Sequence, residues 1–293
     1  MRIVVTGVKG QIATSLIERG RGRADIIALG RPRLDLADRE SVLRAIEATP
    51  CDIIVNAAAY TAVDKAEQEP DEAMRINADG AAHVAEAAAS IGVPLLHLST
   101  DYVFDGAGER PYRETDPTGP TSAYGRSKLA GEASVLAAQP NSAILRTAWV
   151  YSPFGANFPR AMLRLGETRE EVGVVADQHG NPTYALDIAD ALLAIAARLA
   201  EDASPDLRGV FHMTGQGEAT WAEVAEATFA AAERHGRKPV RVRRIGTLDY
   251  PTPAKRPANS RLDNGKLSRT HGVVLPEWRR SLSDCVDRLL SMT

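Results

Sequence analysis

The amino-acid sequence predicts an α/β fold: a doubly wound parallel sheet followed by a smaller, discontinuous C-terminal lobe. In the first half of the chain, short apolar runs alternate with longer segments of helical periodicity. This alternation is typical of parallel strands joined by helices that cover both faces of a sheet. After about residue 150 the alternation loosens, which indicates a second, less regular part. The 293 residues are 44% apolar, enough to build a sizeable core.

Each predicted element rests on its own run of residues. Five apolar runs predict buried strands at Arg2–Thr6, Asp25–Leu29, Asp52–Asn56, Pro94–Ser99 and Ala143–Thr147. Helical periodicity between them predicts helices at Ala37–Ala48, Asp71–Ile91 and Thr121–Ala138. Beyond residue 150, helices are predicted at Ala156–Arg169, Ala185–Ala200, Thr220–His235 and Leu282–Met292, and an ordered Pro-rich loop at Gly246–Ser260. We expect residues 1–150 to form the first domain, with a segment near 184–212 returning to it.

Composition and charge argue against several classes of protein. The formal net charge of −3 and the even spread of 35 basic residues predict neither nucleic-acid nor membrane binding. No apolar run approaches the ~20 residues needed to span a bilayer. Cys51 and Cys285 match no metal-binding spacing, so no metal site is predicted. The chain begins in a strand with no secretory signal pattern, and we expect a cytoplasmic protein.

A glycine-rich turn follows the first predicted strand. Gly7 and Gly10 permit a tight turn and a close approach of the backbone to a pyrophosphate. Gln11 and Ile12 begin a helix whose free N–H groups and positive dipole end favour an anion. Ala13 stands where a third glycine is usual, a tolerated change at a packing position. A turn of this type between strand and helix predicts dinucleotide binding and therefore a Rossmann fold.

The end of the second strand predicts the choice of dinucleotide. An acidic residue there would bind the 2′-hydroxyl of an NAD ribose, but this chain has Arg31 and Arg33. Two guanidinium groups suit a 2′-phosphate, so we predict NADPH, with NADH as an alternative. An exposed basic loop without a ligand also explains the arginines. Asp35, followed by Leu36, is placed either to hydrogen-bond the adenine or to cap the next helix.

The third strand ends in a run of small residues. This run predicts a second stretch of cofactor contacts, made by Ala58, Ala59, Tyr60 and Thr61. Small side chains let the backbone pass close to a cofactor, although close packing in a crowded sheet explains them equally well.

A tyrosine and a lysine begin the helix predicted at Thr121–Ala138. Tyr124 and Lys128 are four residues apart, so they share a helix face. A nearby ammonium lowers the pKa of a phenol, which would let Tyr124 donate a proton to a carbonyl oxygen as hydride arrives. Such pairs also occur by chance in many helices. Thr100, which follows the fourth strand at the ligand-binding edge, is placed to hydrogen-bond the same carbonyl.

This Thr/Tyr/Lys set, together with the glycine turn, resembles the extended short-chain dehydrogenase/reductases. That resemblance implies a seven-stranded Rossmann sheet with a C-terminal substrate lobe. Six runs are similar to the dTDP-4-dehydrorhamnose reductases and occur in that family's order: NAAAYTAVDKAE (56–67), STDYVFDG (99–106), YGRSKLAGE (124–132), RTAWVY (146–151), DQHGNPT (177–183) and RPANSRL (256–262). The resemblance implies NADPH-dependent reduction of dTDP-4-dehydro-L-rhamnose to dTDP-L-rhamnose.

The resemblance also implies roles for individual residues. Tyr124 is the proton donor, and Lys128 supports it and binds the cofactor. The other expected cofactor contacts are the turn of Gly10, Gln11 and Ile12, the pair Asp35 and Leu36, and the stretch Ala59–Thr61. Residues 151–293 mainly bind the sugar nucleotide. The residues expected to bind substrate are Thr100, Asp101, Tyr102, Trp149, Asn157, Arg256 and Asn259. An indole face suits the C–H side of a pyranose, and a guanidinium suits a diphosphate. Some relatives form magnesium-linked dimers, so a homodimer and Mg²⁺ stay open, although the last predicted helix has no clear acidic cluster.

Two other functions fit the same residues. A reductase of another dTDP-4-keto-6-deoxysugar, from secondary metabolism, would share every residue named above. A non-catalytic NADP-binding regulatory subunit is the alternative from a different class, since the methionine adenosyltransferase β-subunits look like this family. The intact set of Thr100, Tyr124 and Lys128 favours an active enzyme.

Overall fold

The computed structural model of the chain describes residues 1–291. The first half alternates strands with helices. Its strands are β1 (Arg2–Thr6), β2 (Asp25–Leu29), β3 (Ile53–Asn56), β4 (Leu95–Thr100) and β5 (Ser142–Thr147). Its α-helices are α1 (Gln11–Gly20), α2 (Arg39–Glu47), α3 (Val63–Ala66), α4 (Pro70–Met74), α5 (Gly80–Ser90) and α6 (Ala123–Ala138).

The second half contains shorter strands and longer loops. Its strands are β6 (Val150–Tyr151), β7 (Glu171–Val175), β8 (His179–Gly180), β9 (Thr183–Tyr184), β10 (Gly209–His212), β11 (Ala219–Thr220), β12 (Arg241–Ile245) and β13 (Asn259–Ser260). Its α-helices are α7 (Phe158–Gly166), α8 (Ala185–Glu201), α9 (Trp221–Glu233), α10 (Gly265–His271) and α11 (Trp278–Ser291). Met292, where the last predicted helix ends, lies outside the described residues.

The central sheet has six strands in the order β10-β5-β4-β3-β1-β2, and every neighbouring pair is parallel. The chain leaves β1 toward β2 on one side and later returns to β3 on the other, which makes β1 and β3 the switch point. Apolar side chains cover both faces: Leu16 of α1 and Ile188 of α8 pack on one, and Val42 of α2 and Val84 of α5 on the other. The expected count of seven strands is wrong within residues 1–291, because the chain after β10 leaves this sheet for β11.

One predicted helix is interrupted. The periodicity over Asp71–Ile91 predicts a single helix, but a π-helical turn at Arg75–Asp79 separates α4 from α5. Such turns insert an extra residue and occur often at functional sites. Here the turn carries Asn77, whose side chain bonds both backbone groups of Tyr60, which follows β3.

The later part of the chain adds small sheets beside the central one. β7 and β12 form a parallel pair that the sequence did not predict, because their pairing joins segments about 70 residues apart. Val242 of β12 packs inward, while Arg241, Arg243 and Arg244 are exposed to solvent and pair with glutamates. α8 packs against the central sheet, and β10 is an edge strand of that sheet. No helix within residues 1–291 is both long and apolar enough to cross a membrane.

A buried ion pair joins α6 to the sheet. Glu132 of α6 accepts two hydrogen bonds from the Arg146 guanidinium of β5, at 2.9 and 2.6 Å, and one from the Ser99 hydroxyl of β4 at 2.5 Å. The side chains of Glu132 and Arg146 are only 4% and 5% exposed. Since an unpaired buried charge is costly, this pair holds α6 at one position on the sheet.

Replacing Glu132→Gln should lower the free energy of unfolding by about 3 kcal/mol, because it leaves the Arg146 guanidinium buried without its counter-charge. Denaturant unfolding followed by circular dichroism measures the change. Glu86→Gln is the matched control: Glu86 pairs with Arg39 at 2.8 Å, but the two side chains are 38% and 53% exposed, so its loss should cost less than about 1 kcal/mol. Equal effects of the two substitutions would contradict the role given to the buried pair.

Candidate active site

The candidate site lies where the parallel strands end. Thr6 of β1 is in register with Asn56 of β3, and Thr100 of β4 with Thr147 of β5. Ligands of doubly wound sheets bind at this edge, in the crevice at the switch point. The glycine turn after β1 and the start of α6 border the same crevice.

The glycine turn fits a pyrophosphate. Gly7 has a φ of 93°, a left-handed conformation that a side chain would strain, and it lies against Ala58. Gly10 is the N-cap of α1, and no side chain among residues 1–291 caps that helix. A Cβ built at Gly10 would meet no described atom within 4 Å. The first N–H groups of α1 have no capping side chain, and the backbone at Gly10 leaves room for a ligand, as an anion-binding helix terminus requires.

The helix after the turn is tied to the second half of the chain. The Gln11 side-chain oxygen accepts hydrogen bonds from Ser152 at 2.7 Å and from Asn157 at 3.3 Å. Ile12 is partly buried on the core cluster behind the turn, and Ala13 is buried within it. Ala13 thus takes the packing position predicted for it.

The loop after β2 presents an exposed guanidinium. The Arg31 side chain is 75% exposed and lies 4.0 Å from Asp35. Arg33 is committed elsewhere, because it donates to the Thr49 hydroxyl at 3.1 Å. The Asp35 carboxylate accepts the Ala37 N–H at 3.1 Å, so it shapes the turn before α2.

Asp38 and Leu36, which follow Asp35 along the chain, both make contacts within the protein. The N-cap of α2 is Asp38, which accepts from Ser41 N, and so the capping alternative for Asp35 is wrong. Leu36 is buried, and it packs so closely on Gly80 that a Cβ there would lie 2.9 Å from it.

The small residues after β3 lie beside the glycine turn, where Ala58 contacts Gly7. The N–H groups of Ala57 and Ala58 donate to the Thr6 hydroxyl, each at 3.1 Å. The run continues with Ala59 and Tyr60, which are half-buried, and Thr61, which is exposed. The Tyr60 hydroxyl donates to Glu69 at 2.9 Å.

Thr100 and Tyr124 come together as predicted from the sequence. Tyr124 lies at the start of α6, where Ser122 caps the helix by accepting the Gly125 N–H. Burial, and secondarily the charge of Asp101, raise the pKa of Tyr124, while the Thr100 hydroxyl opposes this. Thr100 donates to Asp101 at 2.9 Å. Burial raises the pKa of Asp101 to about 6.

The Lys128 amine makes its hydrogen bonds to the sheet, and none of those found among residues 1–291 joins it to Tyr124. Its Nζ points to the sheet, donating to the Leu98 carbonyl at 2.7 Å and lying 3.5 Å from His97 Nε2. Burial lowers the pKa of Lys128 to about 8. Sequence spacing places the two residues on one helix face, but the direction of a flexible lysine side chain depends on its neighbours.

Tyr102, which contacts Tyr124, is hydrogen-bonded to the ion pair of Arg256 and Asp64. Arg256 donates to the Tyr102 hydroxyl at 3.2 Å and pairs with Asp64 at 2.6 Å. The Tyr102 ring meets the Tyr124 ring edge-on, with centroids 5.6 Å apart. Asp64 was missed by the sequence analysis, although it lies in the run NAAAYTAVDKAE (56–67), because only the fold brings it to Arg256.

Trp149 is held in a strained conformation. Its φ of 48° is the only positive value among the non-glycine residues described. Its indole stacks on Trp221 with centroids 3.7 Å apart and lies over Gly180, where a Cβ would come within 2.4 Å. Strain of this kind persists only where neighbours enforce it, and it often marks a ligand site. Trp221 was not predicted from the sequence.

The side chains of two predicted substrate-binding residues form hydrogen bonds with backbone groups of the protein. Asn157 caps α7 by accepting the Arg160 N–H at 3.1 Å, and its amide donates to the Ser152 carbonyl at 2.6 Å. Asn259 donates to the carbonyls of Gly108 and Arg110, at 2.7 and 2.8 Å. Both side chains shape loops beside the site. Within residues 1–291 no group of three His, Cys, Asp or Glu is placed to hold a metal ion.

Comparisons with known proteins agree with this geometry. The family model described as the RmlD substrate binding domain matches residues 1–291. A dTDP-4-dehydrorhamnose reductase of Sinorhizobium fredii is 53% identical over 290 residues, which span 99% of this chain and 98% of that protein. The chain belongs to the dTDP-4-dehydrorhamnose reductase family.

Two solved structures of this reductase family have the same fold. The crystal structure of the dTDP-4-dehydrorhamnose reductase from Clostridium acetobutylicum is 37% identical, with a TM-score of 0.92 over 99% of this chain and 100% of that one. The reductase from Bacillus anthracis, solved in complex with NADP, is 34% identical, with a TM-score of 0.90 over 100% and 99%. The predicted fold class and family are thereby confirmed.

The carboxyl group of Asp101 should make this reductase less stable as pH rises. Its pKa is about 6 in the folded chain but about 3.9 in an unfolded one, so the folded state holds the proton more tightly. The resulting stabilisation is complete below about pH 4 and is lost through about pH 6. Between about pH 4 and pH 7 the wild type should lose about 2–3 kcal/mol relative to Asp101→Asn, measured by urea unfolding.

Asp105→Asn is a control for which the pH dependence of stability should have the opposite sign. A hydrogen bond from Tyr112 holds the pKa of Asp105 below its ordinary value, so the wild type should gain stability over this variant as pH rises. Parallel pH curves for wild type and Asp101→Asn would contradict the raised pKa.

Proposed function

We propose that this protein reduces the C4 ketone of dTDP-4-dehydro-L-rhamnose to the alcohol of dTDP-L-rhamnose, with NADPH as the physiological reductant. The observation that carries the proposal is the meeting of the Thr100 and Tyr124 hydroxyls at the same edge of the sheet as the uncapped start of α1. This juxtaposition suits an enzyme that protonates a carbonyl oxygen next to a bound dinucleotide. The names and full-length similarity of its relatives support the sugar nucleotide as substrate.

The chain's own residues would supply the proton. NADPH, when bound at the turn of Gly7 and Gly10, supplies a hydride to the substrate carbon. The raised pKa of Tyr124 keeps its phenol protonated at neutral pH, so the proton is available for the oxygen that gains negative charge. Thr100 would orient that oxygen, and Lys128 would support Tyr124 and bind the cofactor. One hydride and one proton complete the reduction of ketone to alcohol.

We assign the remaining contacts by region. Residues 1–150, with the segment near 184–212, would carry the cofactor, and the rest of 151–293 would mainly bind the sugar nucleotide. Trp149 would pack on the hexose and Arg256 would meet the diphosphate, with Tyr102 between them. Asp64 pairs with Arg256, so it would compete with the diphosphate for that guanidinium.

The direct test is NADPH oxidation with enzymatically generated dTDP-4-dehydro-L-rhamnose, run beside NADH, with the product identified by chromatography against dTDP-L-rhamnose. Turnover to that product with NADPH supports the proposal. Turnover only with another dTDP-4-keto-6-deoxysugar would replace the substrate. NADPH binding without turnover of any keto sugar would overturn the catalytic assignment in favour of a regulatory binder.

Replacing Tyr124→Phe should lower kcat by roughly 10²-fold or more, since it removes the general acid, while NADPH affinity stays near wild type. Stopped-flow single turnover measures the chemical step, and quenching of tryptophan fluorescence measures binding. Tyr112→Phe is a control for loss of a phenol, because Tyr112 bonds Asp105 and Gly108 away from the crevice. Normal turnover by Tyr124→Phe would remove this residue from the mechanism.

Replacing Arg31→Gln should weaken NADPH binding by about tenfold or more and leave NADH binding unchanged, because a charge-assisted hydrogen bond to the 2′-phosphate is lost. Titration calorimetry with both cofactors gives the ratio. Arg33→Gln is the matched control in the same loop, since Arg33 already donates to Thr49, and it should change the ratio little. An unchanged ratio in Arg31→Gln would show that the 2′-phosphate is recognised elsewhere.

A further inference from the structure

Trp149 lies on the side of the crevice that carries the reacting groups. It follows β5 closely, and the last residue of β5 is in register with Thr100. Its indole lies over Gly180 of β8, and Gly180 is paired with Ser260 of β13. The Ser260 side chain opposes the rise that burial causes in the pKa of Asp101, so it lies against that carboxyl group. Two independent routes through the fold thus bring Trp149 close to Thr100 and Asp101.

Backbone hydrogen bonds determine where the side chain of Trp149 begins. The residue has a φ of 48°, a left-handed conformation that bulky side chains rarely adopt. Its carbonyl accepts the Thr183 N–H at 3.1 Å, and the next residue, Val150, begins β6, which pairs in parallel with β9. The direction of the Cα–Cβ bond is therefore set by the backbone. The two side-chain rotations are left to the neighbours of the indole.

The indole of Trp149 is enclosed between two neighbours. On one face Trp221 stacks, with ring centroids 3.7 Å apart and an interplanar angle of 10°. A Cβ built on Gly180 would lie 2.4 Å from Trp149 Cε2 and 2.7 Å from both Cζ2 and Nε1. Cε2 is the ring-fusion atom bonded to the other two, so this pattern is that of an atom above the ring plane. An indole and a glycine backbone cannot share one layer above the same ring, so they cover opposite faces.

Trp221 is itself fixed by the start of α9. It is the first residue of this helix and directly follows Thr220, which accepts the Glu223 N–H in a capping box. Its ring also meets Phe158, with centroids 4.7 Å apart. β11, which ends at Thr220, is antiparallel to β8, which ends at Gly180. Strand pairing therefore sets the width of the gap between Gly180 and Trp221, and one indole fills it.

We propose that Trp221 is a positioning residue for the sugar: together with Gly180 it clamps the indole of Trp149, so that the edge of the indole meets the hexose. This role rests on the proposed function and deepens it, since the hexose contact of Trp149 belongs to that proposal. With both faces covered, the indole is ordered before the sugar arrives, which lowers the entropic cost of binding. Without Trp221, rotation about the side-chain bonds lets the edge turn away from the hexose.

Binding of dTDP-L-rhamnose and of dTDP, which lacks the hexose, tests this role by titration calorimetry. Trp221→Leu removes the stack, so it should weaken dTDP-L-rhamnose binding by about tenfold and leave dTDP binding unchanged. Trp221→Phe keeps an aromatic ring on the indole and should keep most of the wild-type affinity for dTDP-L-rhamnose. Equal losses for the two ligands in Trp221→Leu, or no loss for either, would overturn the proposal.

A second variant acts on the indole from its other face. Gly180→Ala adds a Cβ 2.4 Å from the indole and should also weaken dTDP-L-rhamnose binding more than dTDP binding. Gly246→Ala is the control in the later part of the chain, because the nearest atoms to its Cβ lie at 3.6 Å, and it should change neither. The double variant Gly180→Ala with Trp221→Leu should lose no more than the larger single loss, since both changes release one indole. Additive losses would show that the two residues act separately, against a clamp.

The stack is also measurable without any ligand. Two indoles in face-to-face contact give an exciton couplet in circular dichroism, which should be lost in Trp149→Phe and in Trp221→Phe but kept in Trp278→Phe. A couplet that survives the first two substitutions contradicts the clamp. Failure of the wild type to bind either dTDP ligand overturns only the proposed function, because the couplet and its loss do not depend on substrate.

Discussion

The parallel pairing of the central sheet is the constraint on which the rest of the structure depends. Parallel strands end at one edge, and the chain leaves β1 and β3 in opposite directions, so a crevice opens beyond the carboxyl ends of these two strands. The glycine turn, Thr100 and the start of α6 border that crevice because strand register brings them there. Residues from position 6 to position 128 thus share one site although little in their local sequence joins them.

Burial sets the electrostatics of this site. Removal from water disfavours charge, so it raises the pKa of Asp101 and Tyr124 and lowers that of Lys128. A single physical effect therefore leaves the phenol protonated and brings the pKa of the lysine closer to neutral pH. Buried polar groups must also be satisfied, and the Glu132 and Arg146 pair meets this need while fixing α6 on the sheet.

The sequence predicted local elements well and non-local ones poorly. The bounds of β1 and β2 agree with the prediction, because a buried parallel strand is a continuous apolar run with its own sequence signal. The β7 and β12 pair was missed, since its stability comes from pairing between distant segments. In the site, Thr100 and Tyr124 were predicted to meet, whereas Asp64 and Trp221 were not.

The sequence by itself determined the fold class, the family and the residue types that do chemistry, because periodicity, turn glycines and ordered motifs are properties of the linear chain. Only the tertiary structure decided what each side chain touches. It turned Lys128 toward His97 and Leu98, and it committed Asn157 and Asn259 to loop carbonyls. The physical reason is that hydrogen-bond partners and burial depend on neighbours from other strands, and the chain's linear order does not encode their directions.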